Sequence, residues 1–380
     1  MIKKHLIVLL GVLSASFSSY SQQTINASIT HGGIQRDYIL YVPANYTGTN
    51  PVPLVLNFHG YTSNANAQMW YGDFRAIADT ADFLIVHPQG TLYQGNTHWN
   101  VTGLYPGSTV DDLGFTSNLI DSLSANYNVN SSRIYSTGMS NGGYMSFYLA
   151  CQLSNKIAAI ASVTGSMTPT MTNACNPQHS TPALQIHGTS DATVPYNGNT
   201  WTNPIINVAQ YWANYNNSTI TPTITNLPDI NLLDNSTVEH YLYPNGNNGS
   251  TVEHFKVIGG GHTWPGNIIG GTGTNYDINA SAEIWRFFSK YDINGLTTSA
   301  EIPQLTENTF SIHPNPTNSF ILIEGDFTSV KQYEILSIQG IRVQSGLISE
   351  NNKKINLETL APNLYFIKVE NSVYKILKTP

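Results

Sequence analysis

The chain has 380 residues, 41% of them apolar and only 10% charged, and a net charge of −7. That apolar fraction supports a packed core and excludes a disordered chain. The acidic balance, with no Lys/Arg cluster beyond the first residues, argues against nucleic acid, whose phosphates need a basic footprint.

The first stretch, "MIKKHLIVLLGVLSASFSSYSQQ", sets Lys3 and Lys4 before an apolar run from Leu6 to Leu13, with Ser19 and Ser21 ahead of Gln22. It reads as an export signal over residues 1–21, with a buried N-terminal helix as the alternative. The run is too short for a bilayer anchor, and no later segment is long and apolar enough to be transmembrane. Two cysteines, Cys151 and Cys175, in an exported chain suggest a structural disulfide; two buried thiols are the alternative. By loop entropy such a bridge contributes roughly 3 kcal/mol.

From residue 37 to 291 strand-like and helix-like runs alternate. "DYILYV" and "PLVLNFHG" read as strands, "GDFRAIADTAD" as a helix and "FLIVHPQG" as the next strand. "DDLGFTSNLIDSLSANY" carries Leu113, Phe115, Leu119, Ile120 and Leu123 at helical spacing. "SRIYSTG", "IAAIASVTG" and "ALQIHG" are further strands; "NPIINVAQYWANY" and "ASAEIWRFFSKY" are helices. The alternation predicts an α/β fold with a mostly parallel sheet covered on both faces. Residues 22–291 form this domain, 292–309 read as a linker, and 310–380 read as a small all-β sandwich built from runs such as "FILIEG", "YEILSIQGIRVQSG" and "LYFIKVE".

The stretch "IYSTGMSNGGYMSFYLACQL" sets Ser140 between Gly138 and Gly142, with a strand before and a helix after. On such a turn the hydroxyl projects into a cleft at the carboxyl ends of the strands, where a nucleophile can be placed. A serine needs a base, a group to orient that base, and donors for the oxyanion. In the order Ser–acid–His, His262 in "IGGGHTWPG" is the base: a glycine-rich loop after a strand can carry an imidazole over the sheet edge. His240 and His254 sit inside alternating strand runs and read as structural. Asp191, in "ALQIHGTSDATVPY", stands just past a strand end and is the orienting acid. Asp229 and Asp234 lack a strand to fix them; one of Asp111 and Asp112 caps the following helix. The backbone N–H groups of Tyr61, after "PLVLNFHG", and of Asn141 are the expected oxyanion donors. His59 reads as a prop for the Tyr61 loop. Trp99 and Trp264 are the candidate aromatic contacts for a substrate ring, with core packing as the alternative. Neither a metal site nor a cofactor motif is evident.

Taken together, "NFHGYTSN", "VDDLGFTSNLIDSL", "YSTGMSNGGYMSFYLAC", "IAAIASVTG", "HGTSDATVPYNG" and "GGGHTWPG" resemble the feruloyl esterase and polyhydroxybutyrate depolymerase-like esterases of carbohydrate esterase family 1, over residues 25–291. The resemblance implies an α/β-hydrolase with Ser140 as nucleophile, Asp191 as acid and His262 as base, and it puts Cys151 and Cys175 where related esterases carry a disulfide. "SIHPNPTNSFILIEG" and "LAPNLYFIKVENSVYKILK" resemble a type IX secretion C-terminal sorting domain. That implies a partner in the secretion machinery and an extracellular or surface-attached product. The expected activity is hydrolysis of feruloyl or acetyl esters on plant polysaccharide. The alternatives are polyhydroxyalkanoate depolymerisation, and binding by a catalytically inert hydrolase fold.

Overall fold

The computed structural model describes residues 22–297, 310–325, 327, 329–337, 342–369 and 372–379. The expected export signal lies outside them, as does residues 298–309 of the expected linker. The chain divides into two compact units, Met1–Thr297 and Thr298–Pro380.

In the first unit the chain runs β1 (Gln23–His31), β2 (Ile34–Val42), β3 (Val52–Phe58), α1 (Ala65–Tyr71), α2 (Arg75–Ala81) and β4 (Leu84–Pro88). A short hairpin, β5 (Thr91–Tyr93) and β6 (Asn96–His98), precedes α3 (Asp112–Asn126), β7 (Val129–Met139), α4 (Asn141–Gln152) and β8 (Ala159–Val163). Then come α5 (Pro169–Ala174), β9 (Ala183–Gly188), α6 (Ile205–Tyr215), β10 (Thr223–Asn226), β11 (Thr237–Tyr243), β12 (Val252–Ile258) and α7 (Ala280–Phe288). Ten strands form one sheet in the order β1-β2-β4-β3-β7-β8-β9-β12-β11-β10. The six from β4 to β12 pair in parallel, and antiparallel strands flank them on both sides.

Period-two alternation sorts the buried strand residues onto two faces. Leu54, Leu56, Leu84 and Val86 face one layer, with Phe115 and Leu119 of α3, Phe147 of α4 and Trp212 of α6. Val55, Ile85, Ala159, Ala161, Leu184 and Ile186 face the other, with Ala78 of α2 and Ile284, Phe287 and Phe288 of α7. Both faces are therefore dry, and the parallel strands end in loops on one edge, where a site can be assembled. Cys151 at the end of α4 is disulfide-bonded to Cys175 just after α5, with Cα atoms 4.5 Å apart. Beyond α7 the first unit continues through a two-strand turn, β13 (Tyr291–Asp292) and β14 (Gly295–Leu296); Ile293 N–H bonds to Ser132 O.

One buried carboxylate pins α7 to the sheet. Glu253 on β12 accepts from Arg286 Nη2 and Nη1, from Lys290 Nζ at 3.1 Å and from His240 at 2.9 Å. Burial alone would raise its pKa; the His240 and Arg286 bonds instead hold it well below the usual carboxylate range. A depressed carboxylate adds stability above its unfolded pKa, and that stability is lost as pH falls toward the folded value. Glu253→Gln should therefore cost about 3 kcal/mol at neutral pH, because it strands the cations. Its melting temperature should converge on that of the parent protein as the buffer is acidified, and a deficit equal at every pH would reject the ionised Glu253.

The second unit is all β: β15 (Phe310–His313), β16 (Phe320–Gly325), β17 (Lys331–Ser337), β18 (Arg342–Ile348), β19 (Lys354–Asn356), β20 (Asn363–Val369) and β21 (Ser372–Lys378). They form two sheets, β15-β16-β19 and β18-β17-β20-β21, with every strand pair antiparallel. Ile321, Ile323, Ile335, Ile355, Leu357, Ile367, Val369 and Ile376 meet in one core.

Among the described residues no helix is long and apolar enough to cross a membrane. None of their His, Cys, Asp and Glu side chains form a group suited to a metal ion.

Candidate active site

The turn between β7 and α4 is sharp because its neighbours leave no room for anything wider. A β-carbon on Gly142 would lie 2.1 Å from Phe58 O, and one on Gly138 would lie 2.6 Å from the same atom. Glycine at both positions lets the start of α4 press against the end of β3. Ser140, between them, adopts φ 54° and ψ −118°, a conformation costly for a residue with a side chain. Its N–H bonds to Val163 O at 2.8 Å and its carbonyl accepts from Tyr144 N–H at 3.0 Å, so backbone ladders on both sides hold the strain.

Asp191 sits in the loop after β9 with its side chain fully buried. Its Oδ1 accepts from the Thr193 and Val194 N–H groups, both at 2.8 Å. Its Oδ2 lies 2.7 Å from His262 Nδ1. His187 Nε2 lies 3.3 Å from the same oxygen. The His187 tautomer is fixed by its other contacts: Nε2 donates to Val194 O at 2.8 Å, and Nδ1 accepts from Gln185 Nε2 at 3.0 Å. Burial pushes the Asp191 pKa up, but the His187 and His262 bonds outweigh it and hold the group well below the usual carboxylate range. An ionised Asp191 requires His262 to carry its proton on Nδ1, which leaves Nε2 free to accept.

His262 and Ser140 line one cavity of about 400 Å³. Its remaining walls are mostly apolar: Tyr61, Ala67, Trp70, Tyr71, Met139 and Ile269. Gly60 lies beside the serine, where a β-carbon would be 3.4 Å from Ser140 Cβ. Among the described residues neither the Tyr61 N–H nor the Asn141 N–H has an acceptor. The Asn141 side chain faces away from the cavity; it accepts from Trp99 N–H at 2.7 Å and donates to Trp99 O at 3.1 Å.

The loop bearing Tyr61 is propped by His59. Its Nδ1 donates to Gly60 O at 2.7 Å, and its Nε2 accepts from Gly90 N–H at 2.9 Å. Burial pushes this imidazole down to about 4, which keeps it neutral in that bonding pattern. His254 and His240 are strand residues tied to local partners: His254 to Gln185 O and Tyr196 OH, His240 to Glu253. Asp111 caps α3, and Asp112 makes a buried pair with Arg36 at 2.6 Å.

The two expected aromatic contacts are not in the cavity. Trp99 is 0% exposed; its indole N–H donates to His59 O at 2.9 Å and its ring meets Phe58 edge-on. Trp264 is 1% exposed, donates to Ser281 Oγ at 3.2 Å and packs against Phe74. Both are core residues that shape loops carrying other groups. Instead Trp70, 53% exposed at the end of α1, Tyr71 beside it and Tyr61 bring aromatic faces to the cavity. Periodicity gives no sign of α1, a seven-residue helix, so nothing in the sequence aims Trp70.

Residues 108–221 match the phospholipase/carboxylesterase family, a span that takes in Ser140 and Asp191 and stops short of His262. Residues 311–379 match the secretion system C-terminal sorting domain. The chain is 28% identical over 277 residues to a bifunctional acetylxylan esterase/xylanase of Neocallimastix patriciarum, covering 72% of this chain and 36% of that protein. It is 32% identical to feruloyl esterase B of Piromyces equi, covering 60% and 42%. It is 26% identical to poly(3-hydroxyalkanoate) depolymerase C of Paucimonas lemoignei, covering 73% and 69%. The chain thus spans less than half the length of the first two relatives. Acetyl xylan esterase from Aspergillus awamori has the same fold, with a TM-score of 0.52 at 16% identity, covering 71% of this chain and 99% of that one. The chain thus has an α/β-hydrolase-like fold, is similar over residues 108–221 to the phospholipase/carboxylesterase family, and carries a secretion system C-terminal sorting domain.

Proposed function

We propose that the protein is a secreted serine esterase in which Ser140 is the nucleophile, His262 the general base and Asp191 the group that orients it. One observation carries this reading: the 2.7 Å bond from His262 Nδ1 to a buried, ionised Asp191, with His262 and Ser140 on the walls of one cavity. Ser140 Oγ attacks the ester carbonyl carbon as His262 Nε2 takes its proton. The carbonyl oxygen, now an oxyanion, is received by the Tyr61 and Asn141 N–H groups. The intermediate collapses, the alcohol leaves with the proton from His262, and an acyl-enzyme remains on Ser140. Water then gives a proton to His262, attacks the acyl carbon and releases the acid, returning the proton to Ser140.

The substrate is a carboxylic ester with an apolar acyl group, of which feruloyl or acetyl groups on plant polysaccharide are the leading class. The apolar cavity walls and the acetylxylan and feruloyl esterase relatives support that class. The same walls suit an aliphatic hydroxyacid, and the depolymerase relative keeps polyhydroxyalkanoate as the second reading. The sorting domain supports delivery to the outside of the cell or its surface, with the secretion machinery as partner.

Product release separates the readings. Feruloylated xylan, acetylated xylan and poly(3-hydroxybutyrate) are each incubated with the enzyme, and free acid is measured. Ferulate or acetate should appear with 3-hydroxybutyrate absent. Release of 3-hydroxybutyrate alone would make the protein a polyester depolymerase, and no acid from any of the three would favour a binding protein.

A further inference from the structure

One side of the cavity is bounded by two segments distant in sequence: the end of α1, with Trp70 and Tyr71, and the loop after His262, with Ile269. Behind this partition lies a second cavity of about 300 Å³, which shares Trp70, Tyr71 and Ile269 with the first and is backed by Trp264 and Ile268. A thin wall thus separates the serine from further apolar space. Two of its members project outward, Trp70 at 53% exposure and Ile269 at 67%. Nothing in apolar packing alone keeps such exposed groups in register.

One side-chain amide spans the two segments, beside the Tyr71 hydroxyl, which accepts from Trp264 N–H at 3.4 Å. Asn267, nine-tenths buried, donates through Nδ2 to Tyr71 O at 2.6 Å and to Trp70 O at 3.1 Å. Its Oδ1 accepts from Ile269 N–H at 2.7 Å. One amide therefore engages the backbone at all three wall residues, donating on one side and accepting on the other. No other residue type of that length offers both. The Arg75 guanidinium, bonded to Asp73, stacks on the Trp70 ring at 3.9 Å and holds the ring from the solvent side.

We propose that Asn267 is the positioning residue of this wall, and that the wall it sets limits the length of acyl group admitted to Ser140. The second half rests on the ester-hydrolase reading; the first does not. With Asn267 in place the wall closes the cavity beside the serine and short acyl groups fit best. With the amide removed the Trp70–Tyr71 segment and the Ile269 segment part, the two cavities become continuous, and longer chains enter.

The test uses the full chain with Asn267→Ala and Asn267→Asp. Turnover of p-nitrophenyl acetate and p-nitrophenyl octanoate is compared, and amide hydrogen exchange is followed at Ile269. In both variants the octanoate-to-acetate ratio of kcat/KM should rise by about fivefold or more, since a few methylenes decide fit in such a pocket. The acetate kcat should stay within about twofold of the parent, because no triad group is touched. Ile269 should lose exchange protection in the alanine variant, which has no acceptor, and keep it in the aspartate variant, which has one. An unchanged ratio in both variants overturns the proposal as a determinant of acyl length. Equal Ile269 protection in parent and alanine variant overturns the latch itself. If the parent hydrolyses neither ester, the esterase reading and the acyl-length limit fall together, and the exchange measurement still decides whether Asn267 holds the wall.

Discussion

Ser140→Ala should abolish ester turnover, with a fall on the order of 10⁶ in kcat, and leave the melting temperature unchanged. The size of the fall follows from what is lost. Without the hydroxyl no acyl-enzyme forms, and the imidazole and oxyanion donors retain only the weak catalysis of a direct water attack. The unchanged stability follows from the turn. Its strain lies in the backbone at φ 54°, which alanine shares with serine, and the bonds to Val163 and Tyr144 are backbone bonds that the substitution keeps. Turnover of p-nitrophenyl acetate and thermal unfolding check the two halves together. Activity above a tenth of the parent value would remove Ser140 from its role.

Asp191→Asn should lower kcat by about 10⁴. Both carboxylate oxygens face N–H donors: Oδ1 faces the Thr193 and Val194 amides, and Oδ2 faces His262 and His187. An asparagine must turn its NH₂ toward one of these pairs. Toward the backbone pair it meets two fixed donors and the loop loses two bonds. Toward the histidines it repels the Nδ1 proton of His262, and the imidazole moves that proton to Nε2. There it can no longer accept from Ser140. Protein that unfolds at the parent temperature yet turns over four decades more slowly is the expected result. A loss of less than tenfold would mean that Asp191 does not set the His262 tautomer.

Reading the residues alone located groups whose position depends on local chain chemistry. A strand, a pair of glycines and a helix define where Ser140 stands, because only glycine tolerates the approach of Phe58 O. A polar loop after an apolar strand brought Asp191 and His262 to the same sheet edge for a similar reason. Trp99 and Trp264 show where this kind of reading stops. An indole next to a site residue in sequence can point into the core as easily as into the cavity, and here both serve as packing under the loops. Trp70 was invisible because its helix is too short for a periodic signal and its exposure depends on α1 lying against the His262 loop. His187 precedes Asp191 and so cannot be the base in the order Ser–acid–His, yet its ring lies against the acid. β1 carries Ile25, Ala27 and Ile29 on one face, but they are only partly buried and the polar residues between them make the stripe a weak one.

Among the described residues, the core of the terminal β unit is built from its own side chains, from Phe310 to Ile376. A recognition element built this way draws its core from a single stretch of chain. On the proposed export route, a receptor that reads this unit need not inspect the freight. On that reading, the pocket around Ser140 can be retuned without renegotiating the proposed route of export.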